Sequence, residues 1–242
     1  MKAGTLLLAC VGALLALQTV HADDLRQDAT AVTTDINGRV FEELPFDDTR
    51  DFDLADRGFI GTRDSLVIRS NNGQVIWDMD RFAFAAEKAP ATVNPSLWRQ
   101  MQLNSRHGLY KVTDGVYQVR GYDLSNLSII EGETGYIIVD PLVSEETARA
   151  AMELVFEHLP KKPIRAVIYS HSHADHFGGV KGVIDAASAR DGDTRIIASE
   201  GFMEHVVAEN VLAGNAMTRR VTYMFGNLLP IDEKGGVGVG LG

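Results

Sequence analysis

One ten-residue stretch constrains this chain more than any other: Ser170-His171-Ser172-His173-Ala174-Asp175-His176-Phe177-Gly178-Gly179. It closes an apolar run at 164–170 that reads as a β-strand. In α/β sheets, ligand-bearing loops gather at the carboxyl ends of strands, where side chains are presented without disturbing the sheet. Three histidines and one aspartate within six residues seldom arise for packing reasons; the competing reading is a merely solvated polar turn. Neutral imidazole and carboxylate are zinc or iron ligands. The chain has one cysteine, Cys10, which excludes an internal disulfide and a multi-cysteine metal site. His171 and His173 are two residues apart, so an extended loop projects both to one side, where they can share a metal. Asp175 and His176 follow the bend and are expected to face a second metal close by. Two metals with a water between them supply a nucleophile at neutral pH and a clamp for an ester oxyanion. Gly178 and Gly179 read as a tight turn that brings a helix N-terminus near the site.

The flanking pattern makes the chain α/β rather than a helical bundle. Strand pairs are expected at 109–112 with 116–120 and at 127–131 with 136–140. Ser144 is an N-cap candidate with Glu145 and Glu146 in the first turn, opening a helix through 148–159. Helices at 180–189 and 201–210 flank a strand at 195–198. Upstream, β-prone runs at 65–69 and 74–78 flank Asn71-Asn72-Gly73 and form a hairpin. Asn94-Pro95-Ser96 opens a helix. Residues 23–60 are polar and acidic and read as an irregular arm with one short helix. No internal repeat and no low-complexity tract is present.

Residues 1–22 have the layout of a secretory signal peptide: Met1-Lys2, an apolar run to Val20, then Val20-His21-Ala22 as a cleavage site. A membrane anchor is the competing reading, but the run is shorter than the roughly 20 residues needed to span a bilayer. A lipoprotein box at Cys10 is a weaker one. Cleavage after Ala22 removes the cysteine and Lys2. It leaves 22 basic residues against 33 acidic ones, a charge of −11 where the whole chain carries −10. A thiol-free exported protein suits a periplasmic or secreted, oxidising setting. The acidic balance argues against a nucleic-acid partner. With 45% hydrophobic residues there is material for a sizeable core. The organisation expected is therefore a leader at 1–22, an arm and hairpin at 23–104, and a catalytic domain at 105–242.

HSHADHFGG fits the H-x-H-x-D-H signature of the metallo-β-lactamase superfamily. The longer runs NPSLWRQMQLNSRHGLYKVTDGVYQVRGYDLSNLSIIEGETGYIIVDPL, FGGVKGV and ENVLAGNAMTRR resemble the bacterial alkyl sulfatases of that superfamily, from about Gly58 onward. The resemblance implies an αββα sandwich and two zinc ions. His171 and His173 would bind the first, Asp175 and His176 the second, and a metal-held water would attack a small-molecule alkyl sulfate to give alcohol and inorganic sulfate. It also implies that Asp140 supports the metal loop by hydrogen bonds, against a simple helix-capping turn, and that full-length relatives form homodimers. Family members carry two glutamates and a further histidine downstream, together with dimerisation and lipid-carrier-like domains. Their absence, with the glycine-rich tail at 235–242, gives the expectation of a fold incomplete at the C-terminus. A chain lacking activity on its own, or another hydrolase of the superfamily, are the alternatives.

Other residues carry less. His205 falls inside an expected helix and reads as structural or as a support to the ligands, with a ligand role the lesser alternative. Arg219 and Arg220 are either an anion pair for sulfate or a solvated helix face. Asn126 and Asn215 lie near the implied cleft, and no residue is assigned to the substrate. Phe156, Phe177, Met203 and Phe225 are expected in the core. His107 and His158 receive no role.

Overall fold

The structure is a computed structural model that describes residues 26–86 and 88–238. The leader at 1–22 and Cys10 lie outside the described residues. Two helices, α1 (Ala31–Glu43) and α2 (Arg50–Asp56), occupy the stretch expected as an irregular arm. Neither buries a residue, so no apolar period announced them. Thr30 caps α1 by accepting from the Thr33 amide at 3.1 Å. Strand β1 (Phe59–Gly61) comes next, then the expected hairpin of β2 (Val67–Arg69) and β3 (Val75–Asp78), which pair antiparallel. A 3₁₀ segment at Asp80–Ala86 leads to α3 (Pro95–Asn104), which opens where Asn94 accepts from the Ser96 amide.

Polar contacts secure the arm. Arg99 of α3 donates to both Asp51 carboxylate oxygens and to the carbonyls of Phe46 and Asp48. Its guanidinium also lies over the Phe52 ring at 4.8 Å. Arg99 holds the Asp51 carboxyl below the ordinary carboxylate range.

The remaining strands are β4 (Gly108–Thr113), β5 (Val116–Arg120), β6 (Leu127–Glu131), β7 (Tyr136–Val139), β8 (Ile164–Ile168) and β9 (Arg195–Ile197). They build a seven-stranded sheet in the order β1-β4-β5-β6-β7-β8-β9. The pairs from β1 to β7 are antiparallel; β7-β8 and β8-β9 are parallel. A parallel pair needs a crossover, and α4 (Glu145–His158) supplies it between β7 and β8. Ser144 caps α4 in a capping box with Thr147. Ala148, Ala151, Leu154 and Val155 of α4 share one core with Leu127, Ile129, Ile138 and Val167 of the sheet and with Leu66 and Ile68 at the hairpin.

Two helices expected as single runs are broken. The stretch after the histidine loop divides into α5 (Val180–Val183) and α6 (Ala186–Arg190), because Asp185 turns its side chain onto the Ser188 amide and starts a new helix. Beyond β9, α7 (Phe202–Val207) passes into a π-helical turn at Ala208–Leu212 before α8 (Gly214–Phe225). Met203, expected in the core, is 64% exposed. It sits on a short helix beyond the last strand of the sheet, where α7 buries none of its residues. Phe156 packs on the main core and Phe177 and Phe225 are half-buried. Within the described part of the tail, Val237 is buried with Ala85, Val93, Trp98 and Met101.

Candidate metal centre

Strand β8 ends at Ile168, and the chain leaves it straight into the histidine loop. Asp140 stands beside that exit, one residue past β7. The backbone there is left-handed at Asp140 (φ 57°) and Leu142 (φ 67°), on either side of Pro141. Such φ values are uncommon outside glycine and cost on the order of 1–3 kcal/mol each. The strain is held from both directions. The Asp140 amide donates to the Ile168 carbonyl at 3.0 Å, and Leu142 is fully buried. The turn delivers the Asp140 carboxylate to the loop. One oxygen accepts from the Ser170 amide at 2.8 Å; the other accepts from the Ser170 hydroxyl at 2.7 Å and lies 2.8 Å from His176 Nδ1.

The motif residues stand together. His171 Nε2 and His173 Nδ1 are 3.0 Å apart. The His171 and His176 rings are 4.0 Å apart at their centroids, so two metal positions built on them would be adjacent. Asp175 Oδ2 lies 3.2 Å from His176 Nε2. Each ring also has one nitrogen beside a protein oxygen: His171 Nδ1 by the Ser170 hydroxyl at 2.9 Å, His176 Nδ1 by Asp140, and His173 Nε2 by Glu209 at 3.4 Å. Burial holds His171 below the ordinary imidazole pKa, and the neighbouring His176 and His173 add to the effect. A neutral imidazole is the form that binds a metal.

The donor set suits zinc in kind. Two nitrogens on a tetrahedral zinc at about 2.0–2.1 Å stand roughly 3.3 Å apart, close to the 3.0 Å between His171 Nε2 and His173 Nδ1. Among the described residues, no three histidine, cysteine or carboxylate groups are placed to hold an ion together.

Several supporting residues escaped the sequence reading. Glu209 falls inside the single helix expected over 201–210. Phe202 forms an aromatic cluster with Tyr169 and Phe177 beside the loop, with centroids 5.4–6.0 Å apart. Ser125 donates to the Asp175 carbonyl at 2.5 Å. Asp123 is 5% exposed and accepts from the Thr147 hydroxyl, the Val143 amide at 3.0 Å and the Leu124 amide. A buried acidic residue between Tyr122 and Leu124 has no periodic signature, so only its charge within an apolar stretch could have marked it. His205, Asn215, Arg219 and Arg220 are exposed, which suits a solvated helix face for the arginines. His107 Nδ1 lies 2.7 Å from the Thr62 hydroxyl.

Asp123 yields a stability prediction. Asp123→Ala leaves the Val143 and Leu124 amides short of an acceptor, while the Thr147 hydroxyl can turn to the Ser144 carbonyl, so unfolding free energy falls by about 2–3 kcal/mol. Thermal melting then shifts down by roughly 4–12 °C. Burial pushes the Asp123 carboxyl up, against the lowering effect of its hydrogen bonds from Thr147, Leu124 and Val143. Its contribution to folding is therefore complete below the unfolded value of about 3.9 and fades as pH rises through the folded value. Urea titrations should show the gap between wild type and Asp123→Asn largest in acid and shrinking toward neutrality. A gap that widens with pH contradicts this.

The Gly178-Gly179 turn depends on the small size of its residues, as expected. Neither glycine has positive φ. A Cβ on Gly178 would meet the Val143 carbonyl oxygen at 2.2 Å, and one on Gly179 the Pro141 oxygen at 2.2 Å and the Ser144 oxygen at 2.6 Å. The glycines permit close approach of the loop's exit to the start of α4.

Similarity to known proteins falls on the same region. A model of the metallo-beta-lactamase superfamily matches residues 120–240, half of the chain. A linear primary-alkylsulfatase of Pseudomonas sp. is 54% identical over 223 residues, 91% of this chain and 33% of the relative. An alkyl/aryl-sulfatase of Saccharomyces cerevisiae is 54% identical over 211 residues, 87% of this chain and 33% of the relative. The solved structure of the stereoselective inverting sec-alkylsulfatase Pisa1 from Pseudomonas sp. superposes with a TM-score of 0.81 at 47% identity, covering 87% of this chain and 35% of that one. The chain thus spans about a third of the length of the curated relatives it matches. Because the matched span opens at Arg120, the last residue of β5, and runs through the whole histidine loop, family and site coincide: the chain belongs to the metallo-beta-lactamase superfamily.

Proposed function

We propose that this chain serves the hydrolysis of alkyl sulfate esters of the dodecyl sulfate type, converting ester and water to the alcohol and hydrogen sulfate. The observation that carries the reading is 54% identity to a linear primary-alkylsulfatase across 91% of the chain. His171 through Nε2 and His173 through Nδ1 would hold one zinc, and Asp175 with His176 a second. Bound zinc would polarise a sulfate oxygen and make water a better nucleophile at neutral pH. The chain's own residues set the stage. Ser170 and Asp140 hold the outer ring nitrogens of His171 and His176, which fixes ring orientation. Tyr169, Phe177 and Phe202 back the loop with apolar surface. Residues 1–22 would direct export to the periplasm or beyond.

A second reading is favoured by the centre itself. With two well-spaced nitrogens and no group of three among the described residues, the 242-residue chain alone would hold zinc weakly and turn over little, since incomplete coordination leaves ligand order to be imposed on binding. One experiment separates the two. The chain, and the chain joined to the remaining two thirds of the matched Pseudomonas relative, are assayed for zinc content and for inorganic sulfate released from dodecyl sulfate. Release by the joined form alone supports the second reading, and release by both supports the first. If neither releases sulfate while both are folded and zinc-loaded, the sulfatase reading falls.

A further inference from the structure

Two buried polar side chains, Asp123 and Ser125, stand two residues apart on the segment that joins β5 to β6. Asp123 ties that segment to the start of α4, accepting from the Val143 amide at 3.0 Å and from the Thr147 hydroxyl. Ser125 reaches the other way. Its hydroxyl lies 2.5 Å from the Asp175 carbonyl oxygen, 50 positions on. A carbonyl only accepts, so the hydroxyl is the donor.

That carbonyl is short of backbone partners. It lies in the 3₁₀ turn Ala174–His176, and in a continuing helix it would accept from the amide three or four residues on. Both of those amides are engaged elsewhere. Gly178 donates to the Ala174 carbonyl at 2.8 Å, and Gly179 donates to the Leu142 carbonyl at 2.8 Å. Ser125 supplies the donor instead. The carbonyl belongs to the peptide that links Asp175 to His176, so the bond fixes the plane of that peptide. His176 is then held from two sides, because its Nδ1 lies 2.8 Å from the Asp140 carboxylate. One segment serves both holds. Asp123 anchors Val143, just beyond the Asp140 corner, and Ser125 grips residue 175.

We propose that Ser125 is a positioning residue for Asp175 and His176: its hydroxyl sets the peptide between them, and so the direction in which both side chains are presented. The inference rests on reading the histidine loop as a metal site. It divides that loop, since a change at residue 125 acts on Asp175 and His176 and spares His171 and His173.

The test uses the ¹⁵N-labelled chain, Ser125→Ala, and Ser125→Thr, which keeps a hydroxyl. Without metal, the His176 amide nitrogen reports the hydrogen bond, because it shares a peptide with the Asp175 carbonyl. Its resonance should move in Ser125→Ala and return toward wild type in Ser125→Thr. Zinc is then titrated, and the ring nitrogens of His171, His173 and His176 are followed one by one. In Ser125→Ala, half-saturation of His176 should need about 10-fold more zinc, with His171 and His173 close to wild type. Ser125→Thr should recover most of that loss. Ile129→Val, in the fully buried part of β6, controls for a loosened core and should move the three rings together or not at all. Circular dichroism checks the fold of each variant. The alanine variant, which removes a single atom, decides the case where the threonine methyl is not accommodated. An unmoved His176 amide in Ser125→Ala overturns the proposal. So does a loss of zinc shared equally by all three rings, or an alanine variant that takes up zinc as the wild type does. If the His176 amide responds as expected but zinc moves no ring of the wild-type chain, the metal reading fails, and the hold of Ser125 on the Asp175–His176 peptide stands.

Discussion

Replacing His173 with alanine should reduce sulfate release from dodecyl sulfate to the background of a metal-free control, in whichever form of the protein is active. The same change should remove most bound zinc. His173 supplies the nitrogen that stands 3.0 Å from His171 Nε2, and with it gone the loop has no second donor at a spacing suited to zinc. A site that loses one of few ligands loses both affinity and geometry, so the effect should exceed that of any substitution around it. His205→Ala is the matched control, because His205 is exposed on α7. It should keep its zinc and its turnover. Zinc retained in His173→Ala, with sulfate release intact, would remove the loop from the chemistry altogether.

Gly179→Ala should be among the most damaging single-methyl changes for stability. The added carbon would stand 2.2 Å from the Pro141 oxygen, 2.6 Å from the Ser144 oxygen and 2.8 Å from the Ala148 side chain. Two of these neighbours are backbone, which cannot rotate away. The third belongs to α4 and is fully buried. Relief requires α5 to move off the start of α4, breaking the hydrogen bond from the Gly179 amide to the Leu142 carbonyl at 2.8 Å. A cost of about 3–4 kcal/mol is expected from forced backbone displacement in a packed region. Melting temperature should then fall by roughly 6–16 °C. Gly192→Ala provides the comparison: a Cβ there meets nothing within 4 Å, and its φ of 81° adds only local strain. A drop no larger than that of Gly192→Ala would mean that the α4–α5 approach is softer than the structure indicates.

The sequence disclosed those elements whose energetics are local. The hairpin at Asn71-Asn72-Gly73, the Ser144 cap and the strand leading to the histidines each depend on residues within a few positions of one another. Where residues 23–60 suggested one short helix, the structure has two, α1 and α2, and neither was placed because they bury nothing; what holds α2 is Arg99, 48 positions from Asp51. The histidine loop was legible as a cluster because four donors in six residues are improbable otherwise. Of its outer partners, Asp140 came from the family resemblance, since its place at a strand end suits a helix-capping turn equally well. Glu209 and Asp123 were not legible, since the first is set by a π turn that periodicity cannot foresee. The second is an acid whose acceptors' partners come from a later loop and helix. Met203 failed for the opposite reason: hydrophobicity predicts burial only where a second layer exists to receive it.

The left-handed residues at 140 and 142 also act as a register lock. Strand β7 pairs in parallel with β8, Val139 opposite Ile168, and parallel pairing offers no tight turn to fix the alignment. The bend does so instead. A slip of one residue in one direction would put Pro141 at the first left-handed position, which its ring forbids. A slip the other way would put Val139 there, where a branched side chain is a steric outlier. Every one-residue error would also turn the buried face of β7 outward. The Asp-Pro-Leu corner therefore does more than place a carboxylate: it makes the alignment of two neighbouring strands, and hence the height at which the histidines leave the sheet, a single-valued outcome of folding.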